Sequence, residues 1–189
     1  MARKAKPSNE DRLIDAALTL AAEKRWPRIA MTEIARAAEV PLADAYAAFP
    51  CRAGLVAAVI ARHDRAMLAG DDPSLAEESR RDRLFDAMMR RLEAMRPHKA
   101  ALRSMALGAP ADLPTLLAAG PRLMASLAWM LRAADIPAEG PFGLLRIKAL
   151  GLVYIAAFRA FLKDDSEDLS HTMAALDKAL KRAGGALAS

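Results

Sequence analysis

Few side chains in this sequence have the types and spacing that metal binding requires. His63, His98 and His171 stand far apart, and none has a second histidine or a cysteine at the close spacing of a metal site. The sequence also lacks an HExxH motif and a glycine-rich phosphate loop. We therefore expect surface or helix-capping histidines, no metal and no cofactor.

Two other candidates for reactive chemistry have simpler explanations. Cys51 precedes Arg52 at an expected helix start, which favours a reactive thiolate, but an ordinary packed or exposed thiol is the preferred interpretation. Asp164 and Asp165 are adjacent carboxylates at an expected helix end. Since no nucleophile has a base at a suitable spacing, the sequence predicts a protein that is not an enzyme.

The segment EVPLADAYAAFP, residues 39–50, has the boundaries of a DNA-recognition helix: a turn precedes Pro41, and Pro50 ends the helix. Yet it contains no Lys, Arg, Asn, Gln, Ser or Thr, and its charged residues are Glu39 and Asp44. Base edges are read mainly by hydrogen-bond donors and phosphates by cations. The segment therefore predicts a helix with little capacity for base readout.

Composition favours a helical, cytoplasmic protein. Aromatic residues make up 5% of the 189 residues, and the formal charge of +5 permits nucleic acid or an anionic membrane surface as partner. One cysteine and the absence of an apolar N-terminal run fit a reducing cytoplasm without a signal peptide. The apolar stretch 142–162 is interrupted by Arg146, Lys148 and Arg159, so we expect a buried helix and no transmembrane segment.

Hydrophobic periodicity and proline positions predict an all-α chain without strands. Ser8 and Ser166 are the expected N-caps of the first and last helices. The expected helices cover about 8–25, 31–38, 41–48, 52–69, a fifth ending at Arg96, a short sixth after Pro97, 112–134 with a kink at Pro121, 142–163, and a last one ending at Gly184.

The region around the third helix resembles the TetR family of one-component transcriptional regulators. The matching residues are Ile34-Ala35, the turn Ala38-Glu39-Val40-Pro41, Tyr46, Phe49, Arg52 and Leu55. The resemblance implies a helix-turn-helix domain at 1–51 and a helical ligand-binding and dimerisation domain at 52–189, with helix 4 linking the two. It also implies DNA contacts from Arg28, Arg36, Leu42, Asp44, Tyr46 and Arg52, with arm residues Arg3, Lys4 and Lys6.

The chain departs from the family pattern at the turn and along the third helix. Glu39 replaces a glycine that tolerates a positive φ, which costs on the order of 1 kcal/mol if the conformation is kept. Pro41 replaces a serine cap, and reader positions that usually include Lys, Thr, Arg or His are here Leu42, Asp44, Ala47 and Ala48. These departures put DNA binding in doubt.

A second resemblance, in 154–180, is to the TetR-like lipid-binding accessory proteins of ubiquinone biosynthesis. It consists of an aromatic-rich helix, the Asp165-Ser166 break, Thr172 and Leu176-Asp177, and Arg25-Trp26 is similar to a Gly-Trp of the same proteins. Helix capping is an equally good explanation of Asp165-Ser166. The sequence thus leaves two functions open: a DNA-binding regulator that senses a hydrophobic small molecule, and a non-enzymatic protein that binds lipid or isoprenoid.

The C-terminal part is rich in methionine, which suits either an ordinary core or an adaptable ligand pocket. For the pocket we expect an apolar, elongated ligand lined by Met88, Met124, Trp129 and Tyr154, because no charged cluster is evident there. Helix 8 carries a bulky stripe and a second, mostly small stripe that predicts a homodimer contact. The small stripe consists of Leu145, Ala149, Leu152, Ala156 and Ala160.

Overall fold

A computed structural model describes residues 7–70 and 77–188 and confirms the all-α prediction. Within these ranges there are nine α-helices and no strand. The helices are α1 (Asn9–Glu23), α2 (Met31–Ala37), α3 (Leu42–Ala48), α4 (Arg52–Ala69), α5 (Arg80–Met95), α6 (Lys99–Gly108), α7 (Leu113–Ala133), α8 (Gly143–Phe161) and α9 (Ser170–Ala188). Pro121 lies inside α7, which continues through it.

The chain forms two compact units that do not follow its linear order. Unit 1 combines Met1–Val59 with His98–Gly120, and unit 2 combines Ile60–Pro97 with Pro121–Ser189. These units differ from the expected domains, 1–51 and 52–189, because α6 and the start of α7 pack with the N-terminal helices.

Unit 1 is centred on α1, which packs against α2, α3 and α6. The Oγ atom of Ser8 accepts a hydrogen bond from the Asp11 backbone N–H at 3.1 Å, as the capping pattern predicts. At the other end of α1, Ser104 of α6 donates to the carbonyl of Lys24 at 2.8 Å and accepts from the N–H of Trp26 at 3.0 Å. One side chain therefore satisfies two backbone groups after the end of α1.

Close approach explains why α6 ends at a glycine. A Cβ atom added at Gly108 would lie 2.7 Å from Cδ of Pro27, which real side chains do not tolerate without a shift. Trp26, next to this contact, is 2% exposed. The short helical turn Trp26–Arg28 is thus pressed against α6, and this contact fixes the segment that leads into α2.

The turn between α2 and α3 has the left-handed residue that the family pattern predicts. Glu39 has φ 51°, and the following N–H, of Val40, donates to the carbonyl of Ala35 at 2.9 Å. Arg12 of α1 donates to the carbonyl of Glu39 at 2.9 Å, so the turn is held against α1. These bonds maintain the left-handed conformation although a residue with a Cβ atom occupies it.

Unit 2 is built on α8, which packs along α9 and against α5. The buried side of α8 includes Leu150, Tyr154 and Phe161, which belong to the bulky stripe expected from the sequence. Leu176 and Leu180 of α9 are also buried. No single helix in the described ranges has the length and hydropathy of a membrane span. Helices α3 and α4 have this length and hydropathy only when they are taken together, and they are bent by 64° relative to each other.

The last helix begins later than predicted, at Ser170 rather than after Ser166. Asp164 and Ser166 share the cap. The Oδ2 atom of Asp164 accepts from both the N–H and the hydroxyl of Thr172, each at 2.7 Å, and its Oδ1 atom accepts from the N–H of Ser166 at 3.1 Å. The Oγ atom of Ser166 accepts from the N–H of Ser170 at 3.2 Å. Leu169 has φ 54° at the entry to the helix. Burial alone would raise the pKa of Asp164, but these hydrogen bonds outweigh it and hold the pKa well below its usual range.

The strained turn makes a direct prediction about stability. Glu39→Gly removes the steric cost of the left-handed conformation while keeping the carbonyl that Arg12 binds, so we expect the free energy of unfolding to rise by about 0.5–1 kcal/mol. Urea denaturation at two or more protein concentrations would measure this. Ala16→Gly, in the middle of α1, is the control and should instead lower stability by about 1 kcal/mol. A loss of stability in Glu39→Gly would contradict the strain.

Candidate nucleic-acid interface and buried polar cluster

Helix α3 presents an apolar and acidic face to solvent. Ala45 and Phe49 are buried, whereas Leu42 is 61% and Tyr46 71% exposed. Asp44 is also exposed, and its Oδ2 lies 3.4 Å from Nδ2 of Asn9. The exposed face therefore offers one phenol and one carboxylate, and it has no amide or cationic side chain for base edges.

The expected phosphate contacts divide into two groups. Arg28 and Arg36 are exposed, so both guanidinium groups are accessible to a partner. The arm residues Arg3, Lys4 and Lys6 lie outside the described residues.

Arg52 is engaged within unit 1, and its phosphate contact stays a prediction. Its Nη1 atom lies 3.2–3.4 Å from the carbonyl oxygens of Trp26, Pro27 and Ile29, and its Nη2 atom is 3.0 Å from Oδ2 of Asp112. The guanidinium carbon also lies 5.8 Å from the centre of the Trp26 ring.

Arg52 is therefore a structural link within unit 1. Asp112 is 6% exposed and precedes α7, so its carboxylate needs a cation to offset the cost of burial. The carbonyls belong to the connection between α1 and α2. A single guanidinium thus joins the start of α4, the entry to the helix-turn-helix and the start of α7.

The residues expected to line a ligand pocket are distributed between interior and surface. Met88 of α5 and Tyr154 of α8 are buried, and Met124 is partly buried. Trp129 is 48% exposed, and the guanidinium carbon of Arg132 lies 5.1 Å from its ring centre. Trp129 therefore does not share the interior of unit 2 with the buried pair.

The interior of unit 2 contains a polar cluster that sequence reasoning missed. Arg91 donates to Asp64 Oδ1, and Ser126 donates to the same oxygen at 2.6 Å. Arg122 donates to Asp64 Oδ2 at 3.0 Å. Nε of Arg91 lies 3.4 Å from the hydroxyl of Tyr154. The expectation that this region holds no charged cluster is therefore wrong.

Burial makes this cluster electrostatically strong. Arg91, Asp64 and Ser126 are each no more than 3% exposed. Burial alone would lower the pKa of Arg91, but contact with Tyr154 and Asp64 raises it above its ordinary value, so the guanidinium stays charged. The sequence signal was present: Arg91 lies three residues after Met88 and four before Met95, on the buried side of α5.

The small stripe of α8 faces away from the buried side of the helix. Leu145 is 54% and Leu152 73% exposed, and Ala156 is exposed further along the helix. Ala149 and Ala160 are partly exposed. The exposed stripe is thus apolar and lies along most of a helix of nineteen residues.

The described residues contain no group of three or more His, Cys, Asp or Glu side chains arranged to hold a metal ion. His171 lies with its Nδ1 atom 3.4 Å from Oδ1 of Asp164, beside the start of α9. Cys51 is exposed and forms no disulfide.

The position of Arg52 predicts a stability defect. Arg52→Ala leaves the Asp112 carboxylate buried without its cation, so we expect the free energy of unfolding to fall by about 2–4 kcal/mol. Arg36→Ala, at an exposed position, should change it by less than about 0.5 kcal/mol. Chemical denaturation of both variants would measure the difference. Equal stabilities, with DNA binding lost only in Arg52→Ala, would instead support the phosphate contact.

No protein-family model matches this chain, and no curated protein does so either. Among solved structures, a TetR transcriptional regulator from Nitrosomonas europaea matches with a TM-score of 0.75 and 23% identity, covering 93% of this chain and 98% of that one. A TetR transcriptional regulator from a Rhodococcus species matches with a TM-score of 0.65 and 22% identity, covering 94% and 95%. The chain therefore has, over nearly its whole length, the fold of these TetR regulators.

Proposed function

We propose that this chain is a transcriptional regulator of the TetR type, which binds DNA as a homodimer and senses a hydrophobic small molecule. The observation that carries the proposal is a packed helix-turn-helix whose α3 exposes Tyr46 and Leu42, within a fold that matches two transcriptional regulators over more than nine-tenths of the chain. A protein of this kind works in the cytoplasm, which agrees with the presence of one cysteine in the sequence.

In the proposed complex, α3 lies in the major groove and phosphate contacts supply most of the affinity. Arg36 lies on α2 of the helix-turn-helix and Arg28 shortly before it, and both are exposed. In the complex, Tyr46 orients α3. Because Arg52 is engaged inside unit 1, fewer phosphate contacts remain than the family pattern implies. Each phosphate contact adds about 0.9 to the magnitude of the slope of log K against log salt concentration. Few contacts therefore give a shallow slope.

A lipid-binding accessory protein on the same fold is the second candidate. The donor-free face of α3 and the inward position of Arg52 favour it. The resemblance at Asp165-Ser166 and Thr172 is weaker support for this function, because Ser166 and Thr172 donate hydrogen bonds to Asp164 at the start of α9 and so have a structural explanation. In this role the interior of unit 2, with Met88, Met124 and Tyr154, would bind the lipid for delivery rather than for signalling.

The homodimer is supported by the exposed small stripe of α8. Large apolar side chains such as Leu145 and Leu152 are rarely exposed together on one helix unless a partner covers them. Alanines between them allow a second helix to approach closely. In a two-fold arrangement the same stripe of each copy would meet its counterpart.

Replacing Asp44 tests the proposed DNA contact. Asp44→Lys exchanges a repelling carboxylate for a cation on the exposed face of α3, so we expect non-specific affinity for duplex DNA at low salt to rise about tenfold. Glu23→Lys is the matched control: it makes the same charge change at the other end of α1 from Asn9, which contacts Asp44. Fluorescence anisotropy with labelled duplexes would measure both variants.

The outcomes separate the two candidate functions. A rise in Asp44→Lys that Glu23→Lys does not share supports DNA docking through α3. No binding to any duplex at low salt, even in Asp44→Lys, would support the lipid-binding function. A tight complex of the native chain with one operator, abolished by Asp44→Ala, would make Asp44 a base-reading residue and contradict the proposed backbone-dominated affinity.

A charge in the small stripe should dissociate the dimer. We expect Ala156→Glu to be monomeric at micromolar concentration, because two buried carboxylates would meet near the two-fold axis. Ala22→Glu, at an exposed position of α1, should remain dimeric. Light scattering coupled to size exclusion would distinguish the species, and a monomeric native chain would contradict the proposal.

A further inference from the structure

The buried polar cluster has more positive than negative charge among its bonded partners. Arg91 and Arg122 both donate to the single carboxylate of Asp64. Arg91 is 1% exposed, whereas the side chain of Arg122 is 38% exposed. The cluster therefore extends from the interior of unit 2 towards solvent, with one guanidinium at each end.

Arg122 also retains unused hydrogen-bonding capacity. Within the described part of the chain, its Nε atom is buried and has no acceptor. Buried donors are nearly always satisfied by protein or by water, so this one, beside a charged cluster, is available to an acceptor of a bound molecule. An acceptor with negative charge would satisfy Nε and balance the second guanidinium at once.

Stability alone does not account for such a cluster. A buried ion pair is often no more stable than a well-packed apolar substitute, whereas breaking it is costly. Groups with a perturbed pKa, such as Arg91, occur preferentially at functional sites. The cluster lies among methionines: the hydroxyl of Tyr154 is 3.8 Å from Sδ of Met95, and Met88 is buried on the same side of α5. Methionine side chains rearrange readily, so they can admit an apolar chain.

We propose that this cluster binds the anionic head group of an amphipathic ligand, with Arg122 and Arg91 as its cations and the methionine-rich interior around its hydrocarbon tail. The inference rests on the proposed ligand-sensing function of unit 2, and it adds a charge to the purely apolar ligand that the sequence predicts. Ser126 and Tyr154 supply hydroxyl groups to the same head group. Asp64 occupies the guanidinium groups when the ligand is absent.

A pair of probes that differ only in the head group tests this. Dodecanoate and dodecanol would be titrated into the full-length chain below their aggregation concentrations, at about pH 8, where a carboxyl group is ionised. Isothermal calorimetry should give about tenfold tighter binding for dodecanoate, because a charge-assisted bond adds to the shared contribution of the tail. Equal affinities, or no binding of either probe, would overturn the proposal.

Two variants assign the effect to the cluster. Arg122→Gln should reduce the preference for dodecanoate to about twofold or less and leave dodecanol binding unchanged. Arg132→Gln is the matched control: Arg132 is also on α7, its side chain is 39% exposed, and it pairs with Glu139. A preference that survives in Arg122→Gln, or that is lost equally in both variants, would contradict the assignment.

Replacing Asp64 distinguishes an anion-binding site from a cation-binding site, because the two hypotheses predict opposite changes in affinity. Asp64→Asn removes the internal anion, so dodecanoate should bind several-fold more tightly. If the site instead accepts a cation, dodecyltrimethylammonium should bind the native chain more tightly than dodecanoate and lose affinity in Asp64→Asn. If Asp64→Asn does not fold, Arg122→Gln decides. Anisotropy with DNA and no probe present reports on the proposed regulator separately, so either proposal can fail alone.

Discussion

The ion pair between Arg52 and Asp112 is the interaction on which unit 1 depends. It joins the first residue of α4 to the residue before α7, and the same guanidinium binds three carbonyls next to the helix-turn-helix. Without it, a carboxylate in the interior would be uncompensated, and the carbonyl oxygens of the connection from α1 to α2 would lose their donor. The conformation of the helices that would face DNA is therefore fixed by a segment far along the chain.

Helix α4 carries a second ion pair of the same kind in unit 2. Asp64 lies three turns after Arg52 and is paired with Arg91 of α5. A single helix thus contributes one charged side chain to the interior of each unit. Because ion pairs have strict geometry, they restrict the rotation of α4 about its axis more than apolar contacts would.

Local patterns in the sequence predicted the helices well, because helix ends depend on nearby residues. A few neighbouring residues are enough to recognise a helix-breaking proline, the Ser8 cap and the period of apolar side chains. The left-handed conformation of Glu39 was likewise predicted from the four-residue turn that contains it. The start of α9 was missed because its cap, Asp164, is separated from the helix by a loop that folds back. Ser166 does contribute to the cap, because its Oγ atom accepts from the N–H of Ser170 at 3.2 Å, but it does so from four residues before the helix.

The candidate sites were harder to predict because they depend on residues distant in sequence. The exposed face of α3 was predictable, since Ala45 and Phe49 mark its buried side. The role of Arg52 was not, because its partners include Asp112 and carbonyls, and backbone carbonyls leave no mark in sequence. Arg91 stood on a buried stripe, but a sequence does not reveal that Asp64 of another helix lies opposite it. Similarity to the family at Arg52 therefore indicated the fold, whereas the DNA contact of that residue stays a prediction.

The discontinuous path of unit 1 has a consequence for synthesis of the protein. Residues are added from the N-terminus, so Met1–Val59 leaves the ribosome before the segment His98–Gly120 that completes its core. Until Ser104 and Gly108 emerge, Trp26 lacks the helix that covers it, and Arg52 has no Asp112. All of Ile60–Pro97 is translated during this interval. The nascent helix-turn-helix thus exposes an apolar surface to chaperones, and an excised N-terminal fragment would keep that exposure permanently.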